Sequence, residues 1–302
     1  MKLTNESFTE KYRPKTFDEV IGTDVATLKK LCENPVSMPH LLLHSKVPGT
    51  GKSSIAKVIV NHLGAESLFM NASDERRIED IREKVKRFVQ CIPNKNVPRI
   101  VVLDEADGMT STSQEALRSL MEQFSAKFIL TCNRLEKVIE PLQSRCTKFH
   151  LGLPKKQEIL VHIQKICEKE SIQYEVEALK RLIDFNYPSI RDVLNQLQLL
   201  SLDNKKITLD RIKQQDSEFK EIFNMVQEGK LQQARQQWIE QGIDLKDLLK
   251  SFFDYIWNGN NKNLEVINLL NQANYQMAVH ADSDIVMTWF CVNYCKLVKN
   301  GS

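Results

Sequence analysis

Residues Pro48-Gly49-Thr50-Gly51-Lys52-Ser53-Ser54 place two glycines, a lysine and three hydroxyls between an apolar run, "HLLLHS" (40–45), and an amphipathic helical pattern. A glycine-rich turn at a strand-to-helix junction lets successive backbone N–H groups converge on phosphate oxygens, and the helix N-terminus adds positive potential. At that spacing Lys52 reaches the β- and γ-phosphates of a nucleoside triphosphate, and the Ser53 hydroxyl ligates Mg2+. The pattern Gly-x-x-x-x-Gly-Lys-Ser asks for glycine at position 46, where this chain has Lys46. The inner "PGTGKS" is intact, so the part nearest the β-phosphate survives. A Gly-Lys-Ser turn also arises by chance, but strand, loop and helix in this order favour phosphate binding.

A second chemical element is "RIVVLDEADGM", in which four apolar residues end on Asp104 and Glu105. A buried strand ending there sets two carboxylates at the C-terminal edge of a sheet, the crevice in which open α/β sheets bind ligands. Asp104 would hold Mg2+ through water, and Glu105 would polarise the attacking water. A third strand-like run, "FILTCN", ends in Thr131 and Asn133; an uncharged amide there could orient water or sense the γ-phosphate, although an Asn after a strand is ordinarily turn chemistry.

The elements that must carry these residues alternate. "HLLLHS", "SLFMN" (67–71), "RIVVLD" (99–104), "KFILTC" (127–132) and "TKFHLG" (147–152) have strand length, and helical stripes such as Ile55, Val58, Ile59 and Ile78, Ile81, Val85, Phe88 lie between them. This predicts an α/β fold, a parallel sheet covered on both faces. After "LGLP" (151–154) everything reads helical: 155–169, 175–185, 189–201, a turn-rich "SLDNKK", and from about 217 a second helical run broken near Gly229, Gly242 and "NGNN" (258–261). The division expected is 1–153 for the sheet domain, 154–215 for a small helical domain and 216–302 for a C-terminal helical domain.

The 302 residues, 42% hydrophobic and 27% charged with a net charge of +3, are those of a globular chain whose mild basicity neither demands nor excludes nucleic acid. Seven scattered cysteines, an odd number without framework spacing, suggest reduced intracellular thiols. Cys291 and Cys295, one turn apart on an apolar helix, read as core rather than as metal ligands. The polar N-terminus lacks a signal-peptide core and no stretch approaches a membrane span, so a cytoplasmic chain without a membrane partner is expected.

"EKYRP", "PGTGKSS", "NASDERR", "VVLDEADGMT", "SQEALRSLMEQFS", "TCN", "IEPLQSRC" and "YPSIRDVLNQLQ" occur in the order found in small subunits of sliding-clamp loaders. The chain resembles the replication factor C small subunits and their phage counterparts, densely from about residue 10 to 200 and weakly beyond. The resemblance implies an AAA+ ATPase domain, a small helical lid domain and an all-helical C-terminal collar. It implies ATP and Mg2+ as ligands, and a ring-like pentamer with other loader subunits. With ATP bound, such rings open a sliding clamp on primer–template DNA at the replication fork; hydrolysis then releases the closed clamp. By the same resemblance Lys52 with Ser53 and Asp104 with Glu105 form the two nucleotide motifs, and Asn133 is the first sensor. Arg145 is the arginine finger, Arg191 the second sensor on the lid, and Tyr12, Arg13 and Pro14 the segment folding over the base.

Several residues admit two readings. Arg191 near a helix N-terminus opposes the helix dipole, which a γ-phosphate contact would explain, as would an ion pair with Asp192 or Asp184. Between 76 and 99 stand eight basic residues against three acidic ones. A solvated, ion-paired face is one account; clamp-loader resemblance instead makes Arg76, Arg77 and Arg82 contacts to DNA phosphates. "TSTSQEALRSLMEQF" reads as a helix with a Thr112–Glu115 capping box, a Gln114 that is solvated or that with Arg118 couples the ATP site to the DNA helix, and, at the preceding turn, a Met109 exposed unless it meets a partner such as the clamp. Two other functions fit the motifs: another AAA+ machine, such as a helicase loader or branch-migration motor, and a non-hydrolysing ATP-binding subunit of a loader.

Overall fold

Nearly unbroken runs of Val, Ile, Leu and Phe cannot leave either face of a strand in water, and here they form the middle layer of a three-layer sandwich. In the computed structural model, which describes residues 6–33, 37–72, 78–90, 97–202, 205–258, 264–279 and 282–300, five strands pair in parallel. They are β1 (His40–His44), β2 (Glu66–Asn71), β3 (Arg99–Asp104), β4 (Lys127–Cys132) and β5 (Cys146–His150), in the spatial order β2-β3-β4-β1-β5. The register sets His44 beside Cys132 and His150, and Asn71 beside Asp104, so the strands' C-terminal ends share one edge.

The first helices are α1 (Phe8–Lys11), α2 (Val25–Leu31), α3 (Lys52–His62), α4 (Ile78–Gln90), α5 (Ser111–Gln123) and α6 (Glu140–Gln143). One face of the sheet buries Leu28, Ile55, Val58 and Ile59 against Leu41, Leu43 and Ile129. The other buries Ile81, Val85, Leu117 and Leu120 against Val101, Leu103 and Phe128. The same period-four stripes that mark these helices in the sequence therefore supply the two cores.

Three more helices follow, α7 (Lys156–Glu170), α8 (Val176–Asn186) and α9 (Ile190–Ser201). This stretch is not wholly helical: Gln173–Tyr174 (β6) and Lys206–Ile207 (β7) form a two-residue parallel pair, too short to leave a periodic signal. The next helix, α10 (Leu209–Gln227), begins earlier than about 217. The polar run 213–218 hides its continuity, yet Ile212 is as buried as Ile222, Phe223 and Val226.

The chain separates into two compact units, Met1–Thr208 and Leu209–Ser302. The second unit adds α11 (Leu231–Gln241), α12 (Leu245–Asn258), α13 (Leu264–Ala278) and α14 (Ser283–Asn300), with turns at Gly229 and Gly242. Its core is aromatic, with Phe252 edge-on to Phe290 and Trp238 donating from Nε1 to the Ile243 carbonyl at 2.7 Å. Cys291 and Cys295 belong to this core, where burial pushes the Cys291 thiol up to about 12. Among the described residues no helix is long and apolar enough to cross a membrane.

Candidate functional site

The loop after β1 turns sharply through Gly49 (φ 75°) and Gly51 (φ 91°), both in the left-handed region that a side chain disfavours. At Gly49 there is a second reason for glycine: a Cβ would stand 2.5 Å from Ser189 Oγ and 3.5 Å from the Arg191 Cβ. Gly51 caps α3, leaving the first amides of that helix free for an anion. Lys52 is buried and donates from Nζ to the carbonyls of Val47 at 3.0 Å and Ser45 at 3.4 Å. Burial pulls its ammonium below the ordinary lysine value, against the opposing pull of Cys132, Asp104 and Asp107. Lys46 is exposed at the start of the loop, so its side chain leaves the intact inner half undisturbed.

The acidic residues meet this loop directly. Ser53 Oγ donates to Asp104 Oδ2 at 2.6 Å, joining the end of β3 to the start of α3. Thr131 Oγ1, buried at the end of β4, donates to the other Asp104 oxygen and accepts from the Glu105 N–H at 3.1 Å. Glu105 itself has φ 56°, uncommon for a residue with a side chain, and the Thr131 bond is one of the contacts that hold it there. Asp107 Oδ2 accepts from the backbone N–H of Asn133 at 3.3 Å and of Arg134 at 3.0 Å, which fixes the first residues after β4 beside β3. Asn133 Oδ1 is buried and, among the described residues, without a hydrogen-bond partner.

A cavity runs from Gly49, Thr50, Gly51 and Ser54 at the phosphate loop to Tyr12, Arg13 and Pro14, with Ile190, Arg191 and Leu194 of α9 along one wall. The N-terminal segment is fastened to the helices that follow the sheet. The Phe8 N–H donates to Gln198 Oε1 at 2.9 Å, and Tyr12 and Lys11 both donate to Glu170 at the end of α7. Burial, then the Glu170 carboxylate, raises the Tyr12 phenol above its ordinary value, so it stays a neutral donor. Arg13 pairs with Glu10. Arg191 is exposed to the cavity, and Asp184, one of its two alternative partners, is held by Lys156 at 2.6 Å instead.

Arg145 is not brought to this cavity. It precedes β5, whose Cys146 pairs with His40 at the opposite end of β1 from the phosphate loop. Four residues of strand alone separate the two levels by roughly 13 Å. The guanidinium pairs with Glu122 of α5 and donates from Nη1 to the Pro141 carbonyl at 3.0 Å.

Of the basic cluster, Arg82 is exposed on α4; Arg76 and Arg77 lie outside the described residues. Arg99 does not belong with the available cations, since it donates to Glu66 at 3.1 Å and to the Val89 carbonyl at 2.9 Å. Arg87 pairs with Glu83 at 2.9 Å.

Three local expectations are corrected. The cap of α5 is Thr110, whose Oγ1 accepts from the Ser113 N–H at 3.2 Å, because the helix starts at Ser111 and leaves Thr112 inside its first turn. Met109 is buried against the sheet rather than exposed. Gln114, 1% exposed, is no solvated residue: its amide donates to the carbonyls of Met109 and Lys137 and accepts from the Ile139 N–H at 2.7 Å. The sequence also leaves His162, Glu19, Val20 and Ile21 unmarked, although all four line the cavity. His162 falls on a helix with an ordinary apolar stripe, and nothing in its spacing points at the phosphate loop. Burial, then Lys165 and Lys169, holds its imidazole below the usual histidine value.

Residues 42–152 match the ATPase family associated with various cellular activities (AAA). The chain is 33% identical over 300 residues to the replication factor C small subunit of Sulfurisphaera tokodaii, covering 91% of each. It is 36% identical over 260 residues to that of Sulfolobus acidocaldarius, covering 80% of this chain and 79% of the relative. It is 32% identical over 316 residues to that of Archaeoglobus fulgidus, covering 97% and 98%. A solved RuvB variant from Thermotoga maritima superposes with a TM-score of 0.57 at 16% identity, over 77% of this chain and 86% of its own, a likeness of fold.

Proposed function

Because the chain belongs to the replication factor C small subunit family, with an AAA ATPase domain, we propose that it is an ATP-hydrolysing subunit of a sliding-clamp loader. The observation that carries this reading is the Ser53–Asp104 hydrogen bond, which joins the Lys52 loop to the acidic end of a parallel strand, beside a cavity that reaches Gly49, Thr50, Gly51 and Ser54 of the same loop. The residue groups divide the work. Residues 1–153 bind and hydrolyse ATP, the helices from 154 to 208 act as the lid that brings Arg191 to the phosphates, and the unit from Leu209 onward forms a collar that joins subunits into a ring, a pentamer by analogy. The clamp, primer–template DNA and the other loader subunits are the partners.

The chemistry follows from the residues. ATP phosphates displace the Val47 and Ser45 carbonyls as partners of Lys52, which then neutralises charge between the β- and γ-phosphates. Tyr12, Arg13 and Pro14 hold the base, while Asn133 and Arg191 report on the γ-phosphate. A serine hydroxyl and a carboxylate in hydrogen-bond contact make a hard-oxygen pair that fits Mg2+, so Ser53 and Asp104 would hold it. Its charge would offset that of the phosphates. Glu105, the next residue and in a left-handed turn, would accept a proton from the attacking water.

Hydrolysis would release the closed clamp. Arg82, with Arg76 and Arg77, would hold the DNA backbone without reading sequence. The presence of both Glu105 and Arg145 favours a motor over a non-hydrolysing subunit.

The test is ATP turnover with and without clamp and primer–template DNA, on wild type and Glu105→Gln. Both partners should stimulate wild type. Glu105→Gln should bind ATP normally and turn over on the order of a hundredfold more slowly. Turnover indifferent to clamp would move the chain to another AAA+ machine, and unimpaired turnover in Glu105→Gln would remove that residue from the chemistry.

A further inference from the structure

Glu122, at the last turn of α5, faces two arginines. Arg145 pairs with its Oε1 through Nη2, and Arg118, one turn earlier on α5, brings Nε to 4.0 Å from the same oxygen. Arg145 is anchored a second time, from Nη1 to the Pro141 carbonyl at 3.0 Å. A planar guanidinium held at both terminal nitrogens keeps one orientation, and three of its five N–H donors stay free for a phosphate.

The segment carrying Arg145 is fastened too. Gln143 donates to the carbonyls of Leu135 at 3.0 Å and Val138 at 2.7 Å, and Gln114 ties residues 137 and 139 to the start of α5. One helix thus holds the segment near its beginning through Gln114 and at its end through Glu122.

Stability does not account for an anion at this place. Glu122 is nearly half exposed and Arg145 about a third, and pairs so exposed to water contribute little. A fixed direction does account for it. We propose that Glu122 is a positioning residue for Arg145, presetting the guanidinium that a neighbouring subunit's γ-phosphate meets during hydrolysis. This rests on the reading of Arg145 as a finger acting on a neighbour.

The experiment uses the full-length chain assembled in its ring and measures steady-state ATP turnover and ATP affinity. Glu122→Ala should lower kcat about ten- to hundredfold, as expected when a reacting group is misplaced by an ångström or so, and leave KM and affinity unchanged. Glu122→Gln keeps an acceptor oxygen at the same reach and should restore most of the rate. Glu122→Asp keeps the charge but withdraws it by one methylene, and should fall between. Placed on Arg145→Ala, Glu122→Ala should cost nothing more, because it acts only through that arginine.

A kcat for Glu122→Ala within about twofold of wild type, or a full multiplicative loss on top of Arg145→Ala, overturns the proposal. If Glu122→Ala does not assemble, Glu122→Asp decides, and a rate equal to wild type sinks the idea. Arg145→Ala distinguishes a failed finger from a failed positioning residue. If it slows the ring and Glu122→Ala does not, positioning alone is wrong. If it leaves kcat untouched, the finger reading falls and the proposal falls with it.

Discussion

Ser53 and Asp104, fifty-one residues apart in sequence, stand 2.6 Å apart between Oγ and Oδ2. Neither is placed by the other's local structure. Ser53 sits where Gly51 starts α3, and Asp104 where β3 runs out of apolar residues. If the pair holds Mg2+, Asp104→Asn should retain the hydrogen bond yet lose the charge that binds the cation. ATP affinity in that variant should then be the same with Mg2+ as with a chelator, whereas wild type should bind far more tightly with Mg2+. Titration of a fluorescent ATP analogue under both conditions checks this, and an undiminished Mg2+ response in the variant assigns the cation elsewhere.

Gly49→Ala tests the junction between the phosphate loop and α9. The backbone at φ 75° costs a residue with a side chain roughly 1–2 kcal/mol. The added methyl would also press on Ser189 Oγ, the atom that caps α9 by accepting from the Asp192 N–H at 3.2 Å. Melting should fall by about 2–4 °C for each kcal/mol of destabilisation. ATP affinity should fall as well, since Arg191 follows two residues after Ser189. A variant that melts and binds like wild type would show that the loop and α9 yield freely.

What the sequence reveals and what it hides divide along physical lines. Continuous apolar runs and glycine punctuation are local signals, so the five strands, the phosphate loop and the helix stops at Gly229 and Gly242 are legible. Pairing across the chain is not. Thr131 reads as a polar strand end, and only the fold shows its hydroxyl shared between Asp104 and the Glu105 N–H. Gln114 looks like any polar residue beside a core stripe; its burial depends on the 137–139 segment folding over it. His162 reaches the cavity only because α7 packs where the N-terminal segment returns.

Arg82 offers the accessible part of the DNA expectation. Removal of charge at Arg76, Arg77 and Arg82 should weaken DNA stimulation of turnover and leave basal turnover unchanged. If each cation meets a duplex phosphate, the slope of log binding constant against log salt should flatten by about 0.9 for each phosphate no longer neutralised. Arg87, already paired with Glu83, serves as the control whose replacement should change the slope least. An unchanged slope in the triple variant would make this helix a solvated face.

Arg145 yields the most demanding test. Its strand level lies at the far end of β1 from the chain's own phosphate loop, and Arg191 already lines the cavity from the same chain. As an arginine finger, a guanidinium at that level would act on a phosphate bound by a neighbouring subunit. There it would stabilise charge developing on the γ-phosphate, an effect worth roughly 10³–10⁵ in rate where arginine fingers act. Arg145→Ala should bind ATP and hydrolyse it poorly. Lys52→Ala should bind none, having lost the ammonium that replaces its Val47 and Ser45 partners with phosphate. Mixed in one ring, the two variants should regenerate activity at interfaces where an intact Lys52 faces an intact Arg145. The regenerated rate should rise and fall with the mixing ratio, greatest near equal amounts. Rings shown by native mass spectrometry to contain both variants, yet inactive at every ratio, would confine Arg145 to its own strand.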